Sequence, residues 1–299
     1  MKDQIARLLA ELKLSMPLTP EDIQAVRELY TPFQEMEPFA DVGVFRDQAY
    51  GAHPRQRLDV FAPDGIAEPR PVLIFVHGGG FVGGERHSAG TPFYDNVGVW
   101  AARQGFVGVT ISYRLAPEFT FPSGPDDIGG AIAWVRENIA AHGGDPSAIV
   151  LLGQSAGASH VAAYGARTDR DSSVRAVALM SGQYDYTLFE PPPNVRAYIE
   201  SAPDAQQKAS SAVGLVASRL PVLIVISEFD PPPFHKQAQL LLDAIFARDG
   251  RCANFLYLPR HNHLSQISHL NANGIEDMVL SDRLAEFVRV HTTPAVPAF

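Results

Sequence analysis

Cysteine is almost missing from this chain. Cys252 is the only one among 299 residues, so no internal disulfide can form, which fits a reducing compartment and a fold held by packing. The thiol itself reads as a small buried hydrophobe. Positive charge is also scarce: 24 Lys+Arg face 33 Asp+Glu, for a formal net charge of -9. With no Lys/Arg block, nucleic acid and anionic membrane surfaces are excluded as partners. No apolar run reaches the roughly 18 residues needed to cross a bilayer. In the opening "MKDQIARLLAELKL", Asp3, Arg7, Glu11 and Lys13 interrupt Ile5, Leu8, Leu9 and Leu12 at helical spacing. That pattern predicts an amphipathic surface helix, not a secretory signal. The expectation is a soluble, cytoplasmic protein.

What is present is enough apolar matter for a large core: 46% of residues are hydrophobic and 19% charged. One α/β domain over 1-299 is expected. Thr19-Pro20-Glu21-Asp22 combines an N-cap, a proline at the first helical position and two acids, predicting a helix from 20 to about 30. "VGVFRDQAY", "RLDVFAP", "PVLIFVH", "FVGVTISY", "AIVLLG", "VRAVALMSG", "PVLIVIS" and "CANFLYLP" read as strands. Segments 92-103, 124-141, 156-168, 234-248 and 275-291 read as helices, with Trp100 and Trp134 as core anchors. This alternation predicts a mostly parallel sheet built from βαβ crossovers. The turn-rich, aromatic stretch 183-218 breaks the rhythm; it is expected to be a lid or insertion belonging to no crossover.

Five glycines crowd "FVHGGGFVGG" at 75-84, directly after an apolar strand. The match of Gly78, Gly80 and Gly83 to a dinucleotide-binding G-x-G-x-x-G is set aside, because "ERHSAGTP" follows in place of the helix that motif opens. A second motif explains the glycines better. In "VLLGQSAGASH", Gly153-Gln154-Ser155-Ala156-Gly157 places a serine between a strand and a helix, with small residues two positions either side. A sharp strand-to-helix reversal that exposes a serine requires that spacing. A serine attacking a carbonyl creates an oxyanion, and the N–H groups of Gly79, Gly80 and Ala156 can receive it.

Serine needs a base, and the base needs an acid to hold its tautomer. Glu228 and Asp230 follow one predicted strand, and Asp230, stiffened by the prolines after it, is preferred. His261 and His263 follow the next, with His263 preferred as base. A zinc reading of the two histidines lacks further ligands in recognisable spacing, so no metal and no cofactor is expected. His77, His87, His160 and His269 are read as structural or supporting groups.

The stretches "HGGGF", "SYRLAPE", "FPSGPDDIGGAIAWV", "GGDPSAIVLLGQSAGA" and "EFDPP", in that order, resemble the signatures of the hormone-sensitive-lipase-like group of α/β-hydrolase carboxylesterases. The resemblance covers about 70 to 290. It implies an eight-stranded, mostly parallel sheet flanked by helices, with a helical cap from about 1-40 and about 184-215. It further implies Ser155 as nucleophile, Asp230 as acid, His263 as base, and Gly79, Gly80 and Ala156 as oxyanion hole. Gln154, Ala158 and Ser112 depart from the family pattern, and "HNHLS" is closer to its small esterase and arylformamidase branch. Phe81, Phe33 and Tyr184 are expected to bind substrate, with Phe39, Tyr186 and Phe189 in the cap or rim. The substrate implied is a small, apolar or aromatic carboxylic ester; an arylformamide is the alternative. A non-enzymatic ligand-binding protein of the same fold is the remaining one, though such proteins lose a triad member and all three residues are present. By resemblance, a homodimer is the expected assembly.

Overall fold

Along strand β3 (Arg70–Val76), Val72, Ile74 and Val76 enter one apolar cluster while Leu73 and Phe75 enter another. Strand side chains alternate between faces, so a run apolar at every position is a strand buried on both sides. The computed structural model describes residues 5, 7–9, 18–65, 68–200, 202–274 and 278–293. Its single sheet has the order β1-β2-β4-β3-β5-β6-β7-β8, with β1 (Val42–Ala49), β2 (Arg57–Pro63), β4 (Val107–Ile111), β5 (Gly144–Gln154), β6 (Val174–Met180), β7 (Val222–Phe229) and β8 (Asn254–Asn262). β1 and β2 are joined antiparallel, β2 meets β4 antiparallel, and every pairing from β4 through β8 is parallel. This is the eight-stranded, mostly parallel α/β form expected, and each expected strand is present.

The helices are α1 (Pro20–Tyr30), α2 (Asp95–Arg103), α3 (Ser123–Asn138), α4 (Ala156–Gly165), α5 (Pro193–Ile199), α6 (Pro203–Ala209), α7 (Ala212–Ala217), α8 (Pro232–Asp249), α9 (Ser265–Ser268) and α10 (Val279–Thr292). α3, α4 and α8 bring Ile132, Val161 and Leu241 to one cluster; α2, α10 and α1 bring Trp100, Leu284 and Tyr30 to the other. Fully burying one such large side chain contributes about 1.5–3 kcal/mol. α1 begins as its sequence predicts: the Thr19 side chain accepts from the Asp22 N–H and the Asp22 carboxylate accepts from the Thr19 N–H. Trp100 is buried and its indole donates to Ser281 Oγ at 2.8 Å.

Two expectations are corrected. Because β6 and β7 are parallel neighbours, the segment between them is itself a crossover, and its last helix, α7, packs Ala212 and Leu215 into the core. Cys252 is exposed, because it lies in the short link between α8 and β8 and not in an element with a buried face. Of the expected N-terminal helix, residues 5 and 7–9 are helical, with Ile5 and Leu9 buried. Asp3, Glu11, Leu12 and Lys13 lie outside the described residues, as do 275–277 of the last helix and the tail from 294. Among the described residues, no helix is long and apolar enough to cross a membrane.

Candidate active site

β5 lies between β3 and β6, near the middle of the sheet. It ends at Gln154, Ser155 adopts φ 56° and ψ -122°, and α4 starts at Ala156. A non-glycine residue at positive φ is strained, and the strain here lifts the hydroxyl clear of the turn. The turn packs so closely on its neighbour that a Cβ at Gly157 would sit 2.0 Å from the Val76 carbonyl oxygen. Only glycine fits there.

His263 follows β8 directly, and its Nε2 lies 2.8 Å from Ser155 Oγ. Its Nδ1 lies 2.6 Å from Asp230 Oδ1, with both side chains buried. Asp230 follows the end of β7, where the chain turns: its N–H donates to the Ser227 carbonyl, and its Oδ2 accepts from the Ser227 N–H at 2.6 Å and from Ser181 Oγ at 2.7 Å. The carboxylate is thus held by three donors, and the imidazole is presented to the serine in one tautomer, Nδ1–H toward the acid.

The two reserve candidates are elsewhere. Glu228 is exposed and accepts from the Arg260 N–H at 2.7 Å, tying β7 to β8. His261 is buried with Nδ1 at 3.0 Å from Ser265 Oγ, its ring 4.2 Å from that of His269.

The glycine loop follows β3. A turn in which Gly79 O accepts from Val82 and Gly83 closes it, and Gly79 at φ 131° could not carry a Cβ, which would lie 2.1 Å from Gly83 O. After β3 the next helix begins only at Asp95, so no helix opens from the glycines. Gly79, Gly80, Ala156, Ser155 and His263 all line one cavity of about 370 Å³. Among the described residues, none accepts a hydrogen bond from the N–H of Gly79, Gly80 or Ala156.

Of the expected substrate contacts, Phe81 lines this cavity, stacked 4.7 Å from Tyr198. Phe33 and Tyr184 are placed elsewhere. Tyr184 is buried in the core, its hydroxyl accepting from the Gly182 N–H, and Phe33 packs against the cluster that includes α1 and α2. Tyr186 packs behind Phe81, Phe39 packs beside β1, and Phe189 is exposed. Asn194, from α5, lines the cavity and donates to Gly80 O at 3.1 Å.

Several supporting groups carry no motif in the sequence. Gln154 Nε2 and Gln266 Nε2 both donate to the His263 carbonyl, at 2.8 and 2.9 Å, and Gln266 also meets Ser181, which holds Asp230. Asp230, His263 and the strand that leads into Ser155 are therefore braced together. His77 stacks on Tyr113 and donates from Nδ1 to Gly78 O, while His160 packs among Phe81, Tyr113 and Tyr198. Burial depresses both to about 3, so they stay neutral beside the glycine loop.

Against known proteins, the BD-FAE family model matches residues 58–245. Esterase LipC of Mycobacterium tuberculosis is 31% identical over 238 residues, 72% of this chain and 58% of that protein. Esterase LipQ of the same organism is 29% identical over 269 residues, 82% of this chain and 62% of that one. The chain thus spans about three fifths of the length of these curated relatives. A crystal structure of esterase B from Lactobacillus rhamnosis, described with a tributyrin phosphonate, superposes with TM-score 0.73 at 18% identity, covering 97% of this chain and 95% of that one. That likeness speaks to the fold.

Proposed function

The chain belongs to the BD-FAE family, and from that premise we propose that it is a serine carboxylesterase acting on small ester substrates. The observation that carries the reading is the unbroken line from Asp230 Oδ1 through His263 to Ser155 Oγ, at 2.6 and 2.8 Å. His263 Nε2 takes the serine proton as Oγ attacks the ester carbonyl, and Asp230 stabilises the imidazolium. Negative charge collects on the carbonyl oxygen, for which the N–H groups of Gly79, Gly80 and Ala156 form the oxyanion hole; each such donor is worth about a hundredfold to a thousandfold in rate. The imidazolium returns its proton to the departing alcohol, leaving an acyl-serine. Water, deprotonated by the same histidine, then releases the acid and restores the enzyme.

In this reading 1-299 is one hydrolase domain, and about 1-40 with about 184-215 form a cap over the cavity; Leu18, Ile23, Asn194 and Val195 in its wall support that. A homodimer through the free edge of β8 belongs to the reading as well, supported by exposed Phe255 and Tyr257. A cytoplasmic location is consistent with the lone, exposed thiol of Cys252.

The test is turnover of 4-nitrophenyl butyrate by wild type and Ser155→Ala. The variant should fall to background and lose labelling by a fluorophosphonate. Near-wild-type activity in the variant overturns the proposal. Wild type that neither labels nor turns over any ester would point to a ligand-binding protein, and faster turnover of N-formyl aromatic amines would redirect the substrate assignment to arylformamides.

A further inference from the structure

Among the described residues, the cavity in front of Ser155 is walled by glycines, apolar side chains and neutral polar groups, with one permanently charged side chain, Arg27. It lies one helical turn beyond Ile23 on α1, and residues four apart share a helix face, so both reach the same wall. The Arg27 guanidinium sits 5.6 Å from the ring centroids of both Phe93 and Tyr94, and Tyr94 lines the cavity too. Among the described residues none accepts a hydrogen bond from this guanidinium, so its fork of N–H donors is left for a planar acceptor.

Arg46, Arg86, Arg103 and Arg114 are each paired with one or more carboxylates, and Arg55 and Arg289 donate to carbonyl oxygens. Among the described residues Arg27 has no carboxylate partner, in a chain with 33 acidic residues. Arg27 is half-buried and meets no counter-ion in this wall, so a carboxylate that enters the cavity would supply the opposite charge its neighbours lack. The polar residues Ser159, Gln183 and Asn194 of the same cavity are neutral and offer no such charge.

We propose that Arg27 is a specificity-determining residue that receives a carboxylate carried by the substrate, so that the preferred substrate is an anionic ester: a half-ester of a dicarboxylic acid, or an ester whose alcohol part is an acid. The proposal rests on the serine-esterase reading and sharpens its substrate class. A charged carboxylate in the apolar cavity pairs with the fork of guanidinium donors more strongly than it would in water. The same wall holds an uncharged ester of equal length without that contact.

The experiment compares kcat/KM within matched pairs. For the acyl side these are mono-4-nitrophenyl adipate and 4-nitrophenyl hexanoate; for the alcohol side, 4-acetoxybenzoate and its methyl ester. Wild type should favour the anionic member of one pair, which identifies the side that bears the charge. Arg27→Gln should lower that anionic-to-neutral ratio about tenfold or more, and Arg27→Lys should restore part of it. Using the ratio cancels any general loss of folded enzyme. A ratio unchanged by Arg27→Gln in both pairs overturns the assignment while leaving the esterase reading intact. Turnover of none of the four esters overturns both.

Discussion

At the end of β7, Glu228 and Asp230 stand two residues apart, and at the end of β8 so do His261 and His263. In each pair the first residue is still on its strand and the second is past the end of it. Glu228 accepts a backbone N–H from β8, whereas Asp230 turns back toward the neighbouring serine backbone and faces the imidazole. His261 meets Ser265, whereas His263 is swung toward Ser155 by a turn in which Asn262 Oδ1 accepts from the N–H groups of Leu264 and Ser265. Residues two apart on a strand point to the same face, so the strand itself cannot separate the members of a pair. The turn that ends the strand does. The loops differ in one respect: Glu228 is exposed, while His261 is buried. Replacing the spare member should therefore be almost free in one loop and costly to stability in the other.

The comparison can be broken first at the histidines. His263→Gln should lower kcat for 4-nitrophenyl butyrate by about 10⁵-fold to 10⁶-fold, and His261→Gln by less than about tenfold. Equal losses would mean that the two rings share the chemistry. At the acids, Asp230→Asn should cost about 10⁴ in kcat, because the amide favours the wrong imidazole tautomer. Glu228→Gln keeps an acceptor for the Arg260 N–H and should stay within about threefold of wild type. A reversal of that order would assign the acid role to Glu228. The difference in burial is sharpened by stability: His261→Gln should lose about 1–3 kcal/mol in urea unfolding, and Glu228→Gln less than about 0.5 kcal/mol.

A further effect is a slope with pH. His77 and His160 titrate near 3 in the folded chain because burial penalises their charged form, against an unfolded value of 6.5. Between these pH values the unfolded state binds more protons, so stability falls as pH drops through that window and is fully present above it. Each histidine contributes about 1.4 kcal/mol per pH unit. His160→Phe should flatten the stability change between pH 6 and 5 by about that amount, read by urea unfolding at the two pH values. An unchanged slope would show that this ring is not kept neutral in the fold.

Much of the architecture is legible in the chain because strands buried on both faces are apolar at nearly every position, so "PVLIFVH" and "PVLIVIS" announce themselves. The sharp turn at Ser155 is equally legible, since a Cβ at Gly157 would collide with a neighbouring backbone. Other parts are silent for definite reasons. Phe33, Phe81 and Tyr184 are all aromatic, and the same ring serves a core or a pocket, so only Phe81 was placed at the cavity. Gln266 reaches Ser181 across 85 positions and Gln154 reaches His263 across 109, distances at which no local pattern survives. Arg27 on an amphipathic helix looks like any solvated charge until that helix is seen against the cavity. The break in rhythm at 183-218 resembled an insertion because the short helices there pack through side chains spread over several elements.

By itself, the order of residues determined the strands, the strand-to-helix reversal at Ser155 and the types of group available for chemistry, because these depend on steric clashes and on apolar periodicity within a few neighbours. Only the tertiary structure decided which acid and which histidine meet the serine, and which side chains brace them. Those choices depend on how the strand ends turn and how far apart in sequence the meeting groups lie, and neither is written in any short stretch of chain.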